Sequence, residues 1–127
     1  MDPKKIYYEK QAATIIKNLA KRQMEGYYCA TAEEAKKLAL SLIPAGSSVS
    51  FGGSMTLEEC GVLDALRARE DVALYDRNAA KTPEEIGKIY RQAFSADTFL
   101  MSTNAITMDG ELINIDGRGN RVAALIF

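Results

Sequence analysis

Apolar residues recur at helical spacing at Ala12, Ile15, Ile16, Leu19 and Met24, with Lys and Arg between them, so an amphipathic helix is predicted to open the chain and reach about Met24. Gly26 ends it, and Tyr27 to Ala30 read as a short extended piece. Thr31 with Glu34 spells a capping box ahead of Ala35, Leu38, Ala39 and Leu42, predicting a second helix that Pro44 terminates. The pattern then changes to alternation. Val49 and Phe51 interleave with Ser48 and Ser50, predicting a short strand that runs through Gly52 and Gly53 into a third helix. Thr56 and Glu59 are read as the capping box of that helix, which carries Leu57, Cys60, Gly61, Leu63, Asp64 and Leu66. Val72, Leu74 and Tyr75 predict another strand and Asp76 to Lys81 a loop. Thr82, Pro83 and Glu85 start a fourth helix through about Ser95, and Thr98 to Met101 read as a buried strand.

Helices alternating with short apolar strands predict an α/β fold built from parallel βαβ units, whose ligands sit at the carboxyl ends of the strands. Beyond Met101 the rhythm shifts again. Ala105 to Met108 and Leu112 to Ile115 flank Asp109-Gly110, which predicts a hairpin with a primed turn. The hairpin feeds the loop Asp116-Gly117-Arg118-Gly119-Asn120-Arg121, and Val122 to Phe127 form an unbroken apolar run. That run is expected to pack in the core, to pair with a partner, or to mark a chain whose continuation is missing.

Composition narrows the function more than the fold. The 127 residues, 47% hydrophobic and 26% charged, suit one globular domain, with a helical part over about 1–45 and an α/β part over about 46–127. A net charge of -1 with acidic and basic residues interspersed argues against nucleic acid. No apolar stretch has the length of a membrane span and the polar start lacks a signal-peptide core, so a cytoplasmic protein is expected. Cys29 and Cys60 show no paired spacing, and no disulfide is expected. With no histidine, Ser-His and Cys-His pairs and His-ligated zinc are excluded.

The candidate chemistry lies in the two glycine-rich loops. A strand that turns through Gly52 and Gly53 into a helix start offers backbone amides and a positive dipole end, which suit a phosphate, a carboxylate or a diphosphate. The same glycines equally suit a plain sharp reversal. No Lys follows as in a Walker loop, and no third spaced Gly completes GxGxxG. In the second loop an arginine can clamp an anion through two donors or simply be solvated.

SSVSFGGSMTLEECGVLDAL, YDRNAAKTPEE, STNAITMDGELINIDGRGNRVAALIF and KNLAKRQMEGYY together resemble the LUD domain family, of which lactate utilisation protein C is a member, over nearly the whole chain. The resemblance implies a three-layer parallel-sheet fold like that of ribose-phosphate isomerase, glucosamine-phosphate deaminase and CoA transferases. It also implies a missing C-terminal portion, since the family's domain continues past the equivalent of Phe127. Ligand contacts carried over are Gly52, Gly53, Ser54, Met55 and Thr56 in the first loop, and Ser102, Thr103 and Asn104 after the last parallel strand. Asp116, Gly117, Gly119, Asn120 and Arg121 follow in the second loop. The resemblance implies a role in lactate or related organic-acid utilisation beside iron-sulfur oxidoreductase partners, with an anionic small molecule bound; no metal site is carried over to this chain, and no cofactor bound by it is predicted. Two alternatives stand beside it. One is a free-standing sugar-phosphate isomerase or CoA-transferase-like enzyme using Asp116 or Asp109 as base, and the other is a homo-oligomerising scaffold.

Overall fold

The computed structural model describes residues 2–127. In chain order the elements are α1 (Pro3–Lys21), α2 (Ala32–Ser41), β1 (Ser48–Phe51), α3 (Met55–Glu59), α4 (Val62–Ala68) and β2 (Ala73–Leu74). A 3-10 turn (Arg77–Ala79), α5 (Pro83–Gln92), a second 3-10 turn (Ala93–Ser95), β3 (Thr98–Leu100), β4 (Ala105–Ile106), β5 (Leu112–Ile113) and α6 (Asn120–Ile126) complete it. Two compact units divide the chain. One joins the chain up to Ala35 with Thr103–Asn114, and the other joins Lys36–Ser102 with Ile115–Phe127.

In the first unit, Asp2 caps α1 by accepting the Lys4 amide, and Pro3 fills the first helical position where no amide hydrogen is needed. The helix stops at Lys21, three residues before the predicted end. Met24 N donates back to the Leu19 carbonyl, and Gln23 takes the left-handed φ of 61°. A Cβ on Gly26 would stand 2.9 Å from Ile16 Cγ1, so the glycine lets the returning chain lie on the helix. The Thr31–Glu34 box forms as predicted, with Glu34 N donating to Thr31 Oγ1 at 3.2 Å and Ala30 N to the Glu34 carboxylate at 3.0 Å. The hairpin also forms, with Ala105 opposite Ile113 and Ile106 opposite Leu112. Its turn is not the primed one. Gly110 N donates to the Thr107 carbonyl, and only Gly110, at φ 83°, is left-handed, whereas a primed turn requires positive φ at Asp109 as well. The turn rests on α1, because Asn18 Nδ2 donates to the Met108 carbonyl at 2.8 Å and a Cβ on Gly110 would lie 3.0 Å from Leu19 N.

The second unit holds a three-stranded parallel sheet in the order β2-β1-β3, which bears out the α/β prediction. Ser48 pairs with Ala73, and Val49 with Leu74 on one side and Thr98 on the other. Parallel neighbours need crossovers; α3 and α4 supply the first and α5 the second. Register is pinned by an exchange between two residues, in which Ser48 N donates to Asp97 Oδ2 at 2.8 Å and Asp97 N donates to Ser48 Oγ at 3.0 Å. The core gathers Ile43, Val49, Phe51, Val62, Leu63 and Leu66, with Leu57, Cys60, Leu74 and Leu100 packed against it. Cys60 is thus a packing residue at the edge of the core, and both cysteines are free.

The predicted third helix is two helices, broken where Gly61 adopts φ 84°. Its cap is Ser54, whose Oγ accepts the Leu57 amide at 3.2 Å, so Thr56 lies inside the first turn. Asp76 to Lys81 are not a plain loop, since Arg77–Ala79 wind into a 3-10 turn capped by Asp76. The Thr82, Pro83 and Glu85 signals do start α5 as predicted. The apolar run at the end is α6, with Leu125, Ile126 and Phe127 exposed and the Phe127 ring 5.3 Å from that of Phe94. Among the described residues no helix is long and apolar enough to cross a membrane.

Candidate functional site

The carboxyl ends of the three parallel strands meet where β1 runs into Gly52, Gly53 and Ser54. Gly52 N donates to the Leu100 carbonyl at 2.9 Å, which extends the β1–β3 ladder one residue past the strand. Ser54 Oγ and Ser102 Oγ lie 2.5 Å apart, so the turns after β1 and β3 are joined by a hydroxyl pair. Neither Gly52 nor Gly53 needs a left-handed φ. What they supply is room. A Cβ on Gly52 would meet the aliphatic stem of Arg121 at 3.4 Å, and one on Gly53 would come within 3.1 Å of Arg77 Nη1. The amides of Gly53 and Ser54 donate to no group among the described residues.

Two arginines therefore flank the glycine turn, and they differ in how they are spent. Arg121 Nε donates to Asp116 Oδ1 at 2.8 Å, Nη1 to the Ser102 carbonyl at 2.8 Å and Nη2 to the Ile115 carbonyl at 3.1 Å. Its guanidinium stitches the last loop to the end of β3. Asp116 Oδ2 accepts the Val122 amide at 2.7 Å, which places its charge at the start of α6. That amide above all, with Arg121 beside it, holds the Asp116 carboxyl below the usual carboxylate range. Arg77 has no such partners among the described residues. Its guanidinium lies over the Tyr90 ring, 5.1 Å from the centroid, and is engaged by no carboxylate among the described residues.

Beside the turn lies a cavity of about 290 Å³ lined by Phe51, Gly53, Ser54, Met55, Glu58, Glu59, Leu63 and Asn78. Its lining is mostly apolar and includes two carboxylates. Glu58 is neutralised in place by Arg67, whose Nη2 donates to it at 3.3 Å, and accepts from Asn78 Nδ2 at 2.8 Å. Burial alone would push the Asp76 carboxyl up, yet the Arg67 hydrogen bond, the Asn78 amide and the Arg67 charge together hold it below its ordinary value.

Among the residues expected from sequence, Gly52, Gly53, Ser54, Ser102, Asp116 and Arg121 are brought together. Met55 and Thr56 open α3 and are exposed. Gly117 is exposed, Gly119 supplies the left-handed φ of 76° at the start of α6, and Asn120 is the first residue of that helix. Thr103 and Asn104 belong to the hairpin unit, where Thr103 Oγ1 donates to Asn114 Oδ1 at 3.0 Å and Asn104 N to the Ile113 carbonyl at 3.1 Å. Sequence reading missed Arg77. The signal was present, since Arg77 follows β2 by three residues and ligands of parallel sheets gather at that end. Among the described residues no three His, Cys, Asp or Glu side chains assemble as a metal ligand set.

The family model of the LUD domain matches the chain over residues 12–127. No curated protein and no solved structure matched the chain.

Proposed function

The chain belongs to the LUD domain family, and on that premise we propose that it is a binding component of lactate or related organic-acid utilisation, holding a small anion between Arg77 and the Gly53–Ser54 turn. The observation that carries this reading is the state of Arg77. Arg77 is half-buried, and its guanidinium, against a glycine with an aromatic ring on one side and no carboxylate partner among the described residues, keeps its donors for an acceptor from outside. The amides of Gly53 and Ser54, without acceptors among the described residues, stand at the same turn and suit a carboxylate or phosphate oxygen. In this reading Arg121 orders the loop and the Ser102 turn and does not itself receive the ligand.

The neighbouring cavity favours a small ligand over a large polyanion. Glu59 in its lining would repel the diphosphate of CoA or a nucleotide, whereas a hydroxy acid with its one carboxylate at Arg77 would turn a neutral remainder to the cavity's Phe51 and Met55. That preference sets organic-acid binding above the CoA-transferase-like alternative. Electron transfer would fall to iron-sulfur partners, and this chain would contribute recognition. Kinship with the ribose-phosphate isomerase group of folds is part of the same proposal.

The test is calorimetric titration of the chain with lactate, inorganic phosphate and CoA, repeated on Arg77→Met. Saturable binding of lactate that Arg77→Met loses, with CoA weak or absent, supports the reading. Tight CoA binding, or lactate binding that Arg77→Met retains, overturns it.

A further inference from the structure

We infer that Arg67 is a positioning residue for the anion site, holding the turn that presents Arg77 through a shared grip on Asp76 and Glu58. The inference rests on the reading of Arg77 as the anion receptor. Arg77 is placed by its two neighbours in the chain, and both neighbours are tied to one network. Asp76 precedes it and accepts from Arg67 Nε at 2.7 Å, while its other oxygen accepts the Asn78 amide at 2.9 Å and so caps the 3-10 turn. Asn78 follows it and donates through Nδ2 to Glu58 Oε1 at 2.8 Å, and Glu58 in turn faces Arg67 at 3.3 Å and 3.4 Å. Asp64 Oδ1, 3.0 Å from Arg67 Nη1, completes the surroundings of the guanidinium on its own helix.

Arg67 is thus one cation among three carboxylates, and it bridges α3, α4 and the turn after β2. Without it, Asp76 and Glu58 would both hold Asn78 while repelling each other. The strain would fall on the short turn whose middle depends on both ends. Arg77 would then lose its seat between Tyr90 and Gly53, although nothing that touches the ligand had changed. A lysine cannot replace this bridge in full, because one ammonium lacks the fork that reaches two carboxylates at once.

The experiment follows two readouts in the whole chain. One is the affinity for inorganic phosphate. The other is the upfield ring-current shift that Tyr90 imposes on the Arg77 side-chain protons, recorded by NMR without ligand. Arg67→Met is expected to weaken phosphate binding about tenfold, the low end of what losing an outer partner of a binding group costs, and to move the Arg77 protons toward random-coil positions. Arg67→Lys should recover part of both, and adding Glu58→Gln to Arg67→Met should recover more by removing the repulsion. Wild-type affinity and an unchanged Arg77 shift in Arg67→Met would overturn the inference. If the wild-type chain binds neither phosphate nor lactate, the anion reading fails, while the ring-current shift still decides whether Arg67 seats Arg77.

Discussion

Replacing Gly53 by alanine should leave the fold standing and weaken anion binding, and the two effects are separable. The new Cβ would lie 3.1 Å from Arg77 Nη1, tighter than an ordinary contact, and 3.6 Å from Cζ, an ordinary one, so the end of the guanidinium must retreat by a few tenths of an ångström. What yields is the end of a flexible side chain, and the backbone at Gly53 is not left-handed. Alanine also narrows the unfolded ensemble, which stabilises by about 0.4–1 kcal/mol, so unfolding free energy should change by no more than about 1 kcal/mol. Binding is more sensitive. A hydrogen bond to a charged group is worth about 1.5–3 kcal/mol, and displacing Arg77 from one such bond should raise Kd by roughly ten- to a hundredfold. Gly52→Ala is the control, because its Cβ would meet the Arg121 stem at 3.4–3.7 Å, an ordinary contact. Calorimetric titration with lactate and phosphate, run beside urea unfolding, reads both quantities. Gly53→Ala binding as tightly as wild type would refute the reasoning, as would equal losses in the two alanine variants.

Three further outcomes follow from the geometry. Gly110→Ala combines a left-handed φ of 83° with a Cβ 3.0 Å from Leu19 N, and the φ penalty alone is about 1–2 kcal/mol; faster amide exchange at Thr107 and Glu111 would report the loosened hairpin. Ser54→Ala should cost about 1 kcal/mol through the lost cap, whereas Thr56→Ala should be nearly neutral, a contrast that urea midpoints resolve. Asp76, Asp97 and Asp116 all titrate below the ordinary value of 3.8. The unfolded chain takes up those protons first, so their stabilisation is fully present above that value and is lost as pH falls through the lower folded values. Asp97 owes its low value mainly to the Ser48 amide, so Asp97→Asn should flatten the acid limb of the stability curve measured between about pH 6 and pH 2.5.

The parallel sheet was legible because β1 alternates serine with Val49 and Phe51, and because crossover helices with readable caps separate the strands. Where caps compete, the sequence misleads. Ser54 and Thr56 both precede a hydrophobic run, and only the hydroxyl that reaches Leu57 N at 3.2 Å is the cap. Gly61 looked like an interior helix residue because a φ of 84° leaves no mark on hydrophobic spacing. The Asp109-Gly110 turn was correctly placed but wrongly typed, since docking on the α1 backbone near Leu19, a contact distant in sequence, accompanies the observed turn. The site was half legible for a similar reason. Glycine turns and chain-end loops stand out in a sequence, whereas the value of an arginine depends on which carboxylates reach it. Arg121 looked available and is held by Asp116, while Arg77 follows an aspartate, Asp76, in the chain and lay in a stretch read only as a loop. Asp76 is committed to Arg67 at 2.7 Å.

In a crystal structure of the chain with lactate bound, the carboxylate is expected against Arg77, within hydrogen-bond distance of its guanidinium and of the Gly53 or Ser54 amide, with the Arg121–Asp116 pair intact. Lactate held by Arg121 after that pair has opened, or seated away from the Gly53 turn, would contradict the assignment of Arg77 as the anion receptor.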